Sequence, residues 1–334
     1  MENEEEYKVK QIWPAHADHI CYYNDRFLQP MFKNEPVVAQ PKYDGERMLV
    51  HFNKGEYYCT SRRHSKKTDR YMENQDKLPV LELIADELAD LDYTVIDCEC
   101  YAKDWSTIVG ILHSLPERAI ELQEKDKARF AAFDCVFYDG KDLRELPYAV
   151  RLSYLIKLID KINYEPFHLV RFMNDAHTIG EIQNATLIES TSDWQECMEN
   201  AVNAGFEGIV IKSLLKKYYD KGAILKCKKF ETVDCVVIGY QQGLGKYVDT
   251  IGALNVGYYV PETNSFVGIS NVNCGTDEER NYWRDHWNEL KYSVIEVKCQ
   301  EITDRSLRHP VYVRRRDDKE YKMCTKDTIF KEAE

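Results

Sequence analysis

The chain has 334 residues, 44% of them hydrophobic, and carries 45 basic against 57 acidic side chains for a formal net charge of −12. That length holds one large domain or two smaller ones with a sizeable core, and no apolar run approaches the roughly 18 residues of a membrane span. The acidic start Met1-Glu2-Asn3-Glu4-Glu5-Glu6 reads as neither a secretory signal nor a transit peptide. Eleven cysteines without a Cys-x-x-Cys pair point to reduced, mostly buried thiols in a cytosol-like compartment, against a disulfide framework or a structural zinc site.

Residues 1–36 are polar and aromatic, broken by Pro14, Pro30 and Pro36, and read as a lead-in with room for one short helix. Val37-Val38-Ala39 and Met48-Leu49-Val50 then flank a loop that holds Lys42, Asp44, Gly45 and Arg47. A lysine there is a candidate covalent nucleophile or an ordinary turn lysine; the loop alone does not decide. Arg47–Phe52 and Glu56–Thr60 around Asn53-Lys54-Gly55 predict a hairpin that delivers Ser61-Arg62-Arg63. Val80, Ile84, Leu88 and Leu91 at helical spacing predict a helix over 79–91. The run 93–99 reads as a strand with Asp97 and Glu99 on one face, a costly pairing unless the carboxylates meet cations, metal or ligand hydroxyls; Asp97 reads either as a strand-end cap or as part of a site. Another strand covers 130–138 and closes on Asp139-Gly140; residues 148–162 form a helix packed on the sheet. Asp193-Trp194-Gln195-Glu196 has the form of a capping box opening a helix that ends at Gly205. Strands at 206–212 and 224–228 follow, with Lys226 and Lys228 on one face of the second.

From Glu231 the texture changes to short β-rich runs (235–240, 251–260, 265–269, 294–303, 311–315) with one helix, opened by a capping box at Thr276 and lined by Trp283, Trp287 and Leu290. Five strands and a helix in this space predict a small barrel of the oligonucleotide/oligosaccharide-binding (OB) type. The expected class is α+β, with a first domain over 1–230, built of antiparallel sheets and flanking helices, and a barrel domain over 231–334.

The acidic sum hides local basic patches. Residues 61–70 hold Arg62, Arg63, Lys66, Lys67 and Arg70; residues 212–229 hold seven lysines; residues 305–322 include Arg314, Arg315, Arg316, Lys319 and Lys322. Each alone reads as a solvated face. Phosphate contacts are local, however, so a basic groove on an acidic body is compatible with DNA binding.

The order of these pieces resembles the covalent nucleotidyltransferase superfamily and, within it, ATP-dependent DNA ligases of the compact phage and virus type, over residues 37 to 320. Lys42-Tyr43-Asp44-Gly45-Glu46-Arg47 is similar to the nucleophile motif Lys-x-Asp-Gly-x-Arg, Ser61-Arg62 to the second motif, and Asp97-Cys98-Glu99 to Asp-Gly-Glu with cysteine in place of glycine. Phe133-Asp134 through Asp139-Gly140, Glu207 through Lys212, Lys226-Cys227-Lys228 and Arg316-Asp317-Asp318-Lys319 resemble the remaining motifs. Each is weak alone; the ordered set is specific.

The resemblance implies transfer of AMP from ATP to Lys42, then to the 5′-phosphate of a nick in duplex DNA, then sealing by the neighbouring 3′-hydroxyl. A lysine of ordinary pKa is neutral in only about one molecule in 10³ to 10⁴ at pH 7, so activation is required. Bound magnesium with Lys226 and Lys228 would supply it, and the two lysines would also stabilise phosphate charge. Glu207, with Glu99, would ligate Mg²⁺, for which Mn²⁺ can substitute; Glu99 would also bind the ribose. Phe133 would stack on adenine, with Gln40 and Lys212 in the same pocket. Arg47 and Arg62 would grip phosphate or sugar, while Arg316 and Lys319 would orient pyrophosphate as the barrel domain closes. A monomer acting on nicked DNA in the cytoplasm or on nucleic acid, without a membrane, is the expected setting. A GTP-dependent mRNA capping guanylyltransferase is the near alternative, and an RNA ligase the next. A catalytically dead nucleic-acid-binding module and an NAD-dependent ligase are disfavoured, the first by the intact motif set and the second by the lack of room for a nicotinamide domain.

Overall fold

The computed structural model describes residues 19–21, 36–65, 70–170, 191–303 and 305–330. The chain divides into two compact units, Met1–Lys228 and Lys229–Glu334. No helix among the described residues is long and apolar enough to cross a membrane. Ten cysteines, from Cys59 to Cys324, are buried free thiols.

Among its described residues the first unit has two sheets. One has the order β1 (His19–Cys21), β11 (Ile224–Lys228), β10 (Gly208–Ser213) and β2 (Val37–Pro41). The other runs β5 (Arg70–Glu73), β4 (Glu56–Ser65), β3 (Glu46–Asn53), β6 (Thr94–Tyr101), β7 (Arg129–Tyr138) and β8 (Lys141–Asp142), with β9 (Phe167–Leu169) paired parallel to β7. Apart from β1 on β11 and β9 on β7, the pairings in both sheets are antiparallel.

Period-two alternation decides what each face carries. On the first sheet Val37, Ala39, Ile209, Ile211, Leu225 and Cys227 bury against Cys197, Met198 and Ala201 of the helix Thr191–Asn203. Gln40, Val210, Lys212, Lys226 and Lys228 therefore occupy the other face. On the second sheet Met48, Val50, Ile96, Cys98, Cys100 and Ala132 enter a large core with Leu81 and Ile84 of the helix Val80–Glu87 and Leu152, Leu155 and Leu158 of the helix Tyr148–Ile162. A smaller cluster of Leu49, Val95, Val136, Tyr218 and Ile224 joins the two sheets at one end. The polar faces are left to line the space between them.

Two helices, Trp105–His113 and Pro116–Gln123, were not anticipated from the sequence. Their start signals were present: Asp104 caps the first by accepting from the Thr107 N–H, and Pro116 occupies the first turn of the second. The helix Thr191–Asn203 is already under way at Asp193, so Asp193 to Glu196 do not open it as a capping box. Of the lead-in, only β1 and Pro36 fall within the described residues. A short helix there lies outside them.

In the second unit β12 (Glu231–Gln242), β13 (Ile251–Val260), β14 (Ser265–Asn273), β18 (Val311–Arg315) and β15 (Val294–Cys299) close a barrel in that order. The short β16 (Glu301–Ile302) and β17 (Leu307–Arg308) pair beside it. Inward residues such as Val233, Cys235, Val237, Leu254, Val256, Ile295 and Val297 fill the interior. Thr276 and Glu279 form the reciprocal capping box of the helix Asp277–Asp285. That helix stops at His286 and a second short one, Trp287–Leu290, takes over, so Trp283 and Leu290 reach the core from two helices instead of one.

Candidate active site

Lys42 sits immediately after β2, where two backbone hydrogen bonds continue the pairing with β10. The Lys42 N–H donates to Gly208 O at 2.8 Å and the Glu207 N–H donates to Lys42 O at 3.2 Å. This exchange places the two side chains together, and the Lys42 ammonium bonds the Glu207 carboxylate. Lys228, opposite Gly208 on β11, lies 3.5 Å from the same carboxylate. Lys226 is one cleft-facing position along, opposite Val210. Glycine is obligatory at both turns. A Cβ on Gly208, at φ 148°, would meet Cys227 O at 2.2 Å, and one on Gly45 would meet Cys100 O at 2.3 Å.

The second sheet supplies the facing wall. β3 and β6 pair Arg47 directly opposite Glu99. The Arg47 guanidinium makes a bidentate pair with buried Asp97, Nε to Oδ1 at 2.9 Å and Nη2 to Oδ2 at 2.5 Å, and the Tyr218 hydroxyl donates to the same carboxylate at 2.5 Å. The register of β6 with β7 skips one residue between the pairs Asp97–Asp134 and Cys98–Ala132, and the skipped residue is Phe133. Such a bulge re-aims its side chain. The half-buried Phe133 ring accordingly lies out of the core, with Arg47 5.4 Å and Lys212 4.3 Å from its centroid.

Around Phe133 the polar atoms form a chain. Gln40 Nε2 donates to the Tyr148 hydroxyl at 2.8 Å, which donates to Phe133 O at 2.8 Å, and Lys212 Nζ donates to the same carbonyl at 3.0 Å. Behind it, Arg151 Nε and Nη2 bond Asp134 at 2.8 and 2.9 Å, a pair almost wholly buried.

Burial and crowded charge shift the titrating groups. Desolvation lowers Lys212 to about 7, with Asp134 and Asp97 opposing it. Lys226 is lowered to about 8 by burial first, then by the charges of Arg47 and Lys42. Burial raises the Glu99 carboxyl to about 7 against the pull of Lys42, Lys226 and Arg47. Tyr148 and Tyr218 are pushed well up by burial, so both hydroxyls keep the proton they donate.

The fold thus gathers Gln40, Lys42, Arg47, Glu99, Phe133, Glu207, Lys212, Lys226 and Lys228 between the two sheets. Arg62 is exposed on β4, near enough for its charge to act on Lys226. Arg316 and Lys319 belong to the barrel unit, where they converge on Asp234: Arg316 Nη1 lies 3.1 Å from Oδ1, and Lys319 bonds the same carboxylate. A cleft of about 540 Å³ opens beside Asp234 and Lys319. Sequence reasoning missed Tyr148, Arg151, Tyr218 and Asp234, and left Asp97 between a capping role and a site role. Arg151 carried a signal: it shares the apolar face of its helix with Tyr148, Leu152 and Leu155, where a charge needs a buried partner.

Among the described residues no group of three His, Cys, Asp or Glu side chains gathers to hold a metal. Glu207 and Glu99 are instead two carboxylates set among lysines. That donor set fits a magnesium ion that shares phosphate oxygens and water, not a cage formed by protein alone.

The sequence profile of the family described as "ATP dependent DNA ligase domain" matches residues 24–228, more than half of the chain. DNA ligase 1 of Saccharomyces cerevisiae is 28% identical over 271 residues, 74% of this chain and 33% of that protein. DNA ligase 2 of Methanosarcina acetivorans is 24% identical over 310 residues, 84% of this chain and 51% of that protein. The chain therefore spans between a third and about half of these two relatives. A solved structure from work on Lig E DNA ligases superposes with a TM-score of 0.63 at 18% identity, covering 92% of this chain and all of that one, a likeness of fold. The architecture is the mixed α/β nucleotidyltransferase-type ligase fold, with antiparallel sheets and helices. On the strength of the match across residues 24–228, the chain belongs to the ATP-dependent DNA ligase family.

Proposed function

We propose that this chain seals nicks between a 5′-phosphate and a 3′-hydroxyl in duplex DNA, using ATP and a covalent lysyl-AMP on Lys42. The observation that carries this reading is the convergence of Lys42, Glu207 and Lys228 on one point, with Lys226 and Glu99 acting electrostatically on it. In the first step the Lys42 amine attacks the α-phosphorus; the N–P bond forms as the bond to pyrophosphate breaks. AMP then passes to the 5′-phosphate of the nick, and the 3′-hydroxyl displaces it to close the strand.

The proposed roles follow from position. Glu207 holds Lys42 in the cleft until the phosphates arrive. Lys226 and Lys228 stabilise charge on the α-phosphate. Phe133 stacks on the adenine, while the chain through Gln40, Tyr148 and Lys212 keeps that wall rigid. Arg47, fixed by Asp97, and Glu99 address the ribose and phosphate, and exposed Arg62 meets the DNA backbone. Bound magnesium, held by Glu207 with Glu99 nearby, would polarise the phosphate oxygens. We assign the second unit to the OB class from its closed five-stranded barrel, with Arg316 and Lys319 as its phosphate ligands.

The test is to incubate the chain with magnesium and labelled ATP, GTP or NAD and to look for acid-stable, amine-linked label. ATP alone should label, and the labelled protein should seal a 5′-phosphorylated nick. Labelling by GTP without ATP would overturn the proposal.

A further inference from the structure

On the far side of Lys42 from Phe133, aromatic side chains gather at the end of the cleft. Three follow directly from residues already placed: Tyr43 is next to Lys42, Phe206 is next to Glu207, and Tyr101 shares a strand face with Glu99. The Tyr43 ring lies 4.7 Å from that of Tyr101 and 4.9 Å from that of Phe206, centroid to centroid. His168 on β9 ties them together. Its Nδ1 donates to Glu165 O at 3.2 Å, and its Nε2 lies 3.4 Å from the Tyr101 hydroxyl and 3.5 Å from that of Tyr43.

These rings, with Glu165 and Leu169, line an open cavity of about 430 Å³. A space of that size suits a small ligand, and its chemistry differs sharply from the cation-rich zone one residue away. Glu165 would repel a phosphate, yet its carboxylate can accept from a hydroxyl or an exocyclic amine. Aromatic walls favour a flat, uncharged partner; stacking on a nucleobase contributes about 1–3 kcal/mol and tolerates every base. The cavity wall includes Tyr43 and Phe206, the sequence neighbours of Lys42 and Glu207, so the cavity adjoins the Lys42 end of the cleft.

We propose that this cavity receives the terminal nucleoside on the 3′-hydroxyl side of the nick, with its base packed on Tyr101 and Tyr43. The proposal rests on the nick-sealing reading. Of the two strand ends, the 5′ end brings the phosphate and belongs with the lysines. The 3′ end brings only a hydroxyl and a base, which matches these walls.

The test compares binding and single-turnover sealing of a pre-adenylated nick that carries either an intact or an abasic 3′-terminal nucleotide. Wild-type protein should bind the abasic nick about tenfold more weakly. Tyr101→Leu and His168→Ala should lose a similar factor on the intact nick and little more on the abasic one, while lysyl-AMP formation from ATP stays within about twofold, since coupled contacts are not additive. The proposal is overturned if variant and abasic losses multiply, if self-adenylation falls in parallel, or if an abasic 5′-terminal nucleotide gives the non-additive pattern instead. Unchanged binding of the abasic nick by wild-type protein overturns it without any variant. Failure of ATP to label the wild-type protein would remove the nick-sealing reading itself, and that result is read before any variant is made.

Discussion

The two ends of the cleft solve opposite problems with similar residues. At the Phe133 end the polar groups close on one another: Gln40 to Tyr148, Tyr148 and Lys212 to the Phe133 carbonyl, Arg151 to Asp134, and Arg47 with Tyr218 to Asp97. Such a satisfied network is stiff and presents an uncharged aromatic face. At the Lys42 end Glu207 is shared by Lys42 and Lys228, Lys226 is depressed by burial and then by its neighbours, and Glu99 is raised by burial. Positive charge is in excess there, and an arriving phosphate would relieve it. One end is built to be complete without ligand and the other is completed by it.

Removing Lys42 separates the ends most sharply. Lys42→Ala should lower lysyl-AMP formation by about 10⁴-fold or more, as loss of a covalent nucleophile does, while sealing of a pre-adenylated nick persists. Quantitative transfer of labelled AMP reads the first effect and gel-resolved strand joining the second. Loss of both to the same degree would mean that Lys42 is structural.

At the other end the largest effect is on stability. Asp134→Ala strands the Arg151 guanidinium in the core and should cost about 3–5 kcal/mol in urea unfolding. A change below about 1 kcal/mol would show that water reaches Arg151 and that this end is not closed. Phe133→Ala should weaken ATP binding roughly 5- to 150-fold, the equivalent of one lost stacking contact, with little effect on the unfolding midpoint. An equal loss of stability would make the ring part of the core instead.

Lys226 predicts a pH dependence. Its folded value of about 8 lies below the ordinary lysine value of 10.5, so it discharges as pH rises through 8. ATP affinity should fall several-fold across that range, and Lys226→Arg, which stays charged, should flatten the profile. The stability effect has the opposite sign. Between about 8 and 10.5 the unfolded chain binds the extra proton, so the burial penalty of Lys226 fades and stability rises with pH over that window. The smallest expected effect is that of Cys98→Gly. It restores the family's glycine but empties a buried site and frees a strand residue, costing about 1 kcal/mol in unfolding while AMP transfer is unchanged.

Much of this was legible in the sequence because it depends on local spacing. The alternation of Ile224-Leu225-Lys226-Cys227-Lys228 puts both lysines on one face in any strand, and the same holds for Asp97 and Glu99. The helix over 148–162 and the capping box at Thr276 are likewise local signals. The helices at 105–113 and 116–123 were missed although Asp104 and Pro116 announce their starts: each is short, nine and eight residues, and the second buries only Ala119 and Gln123.

What the sequence determined by itself was the set of chemical groups, their order and the faces they occupy, since a side chain's face follows from the repeat of the backbone. Only the tertiary structure decided which groups meet. Asp97 had two readings until Arg47 and Tyr218 closed on it from 50 and 121 residues away. Phe133 leaves the core only because the β6–β7 register slips by one residue. Lys226 at about 8 and Glu99 at about 7 are products of burial beside distant charges. These are long-range effects, and no local pattern encodes them, because desolvation and Coulomb energy depend on what the fold brings near.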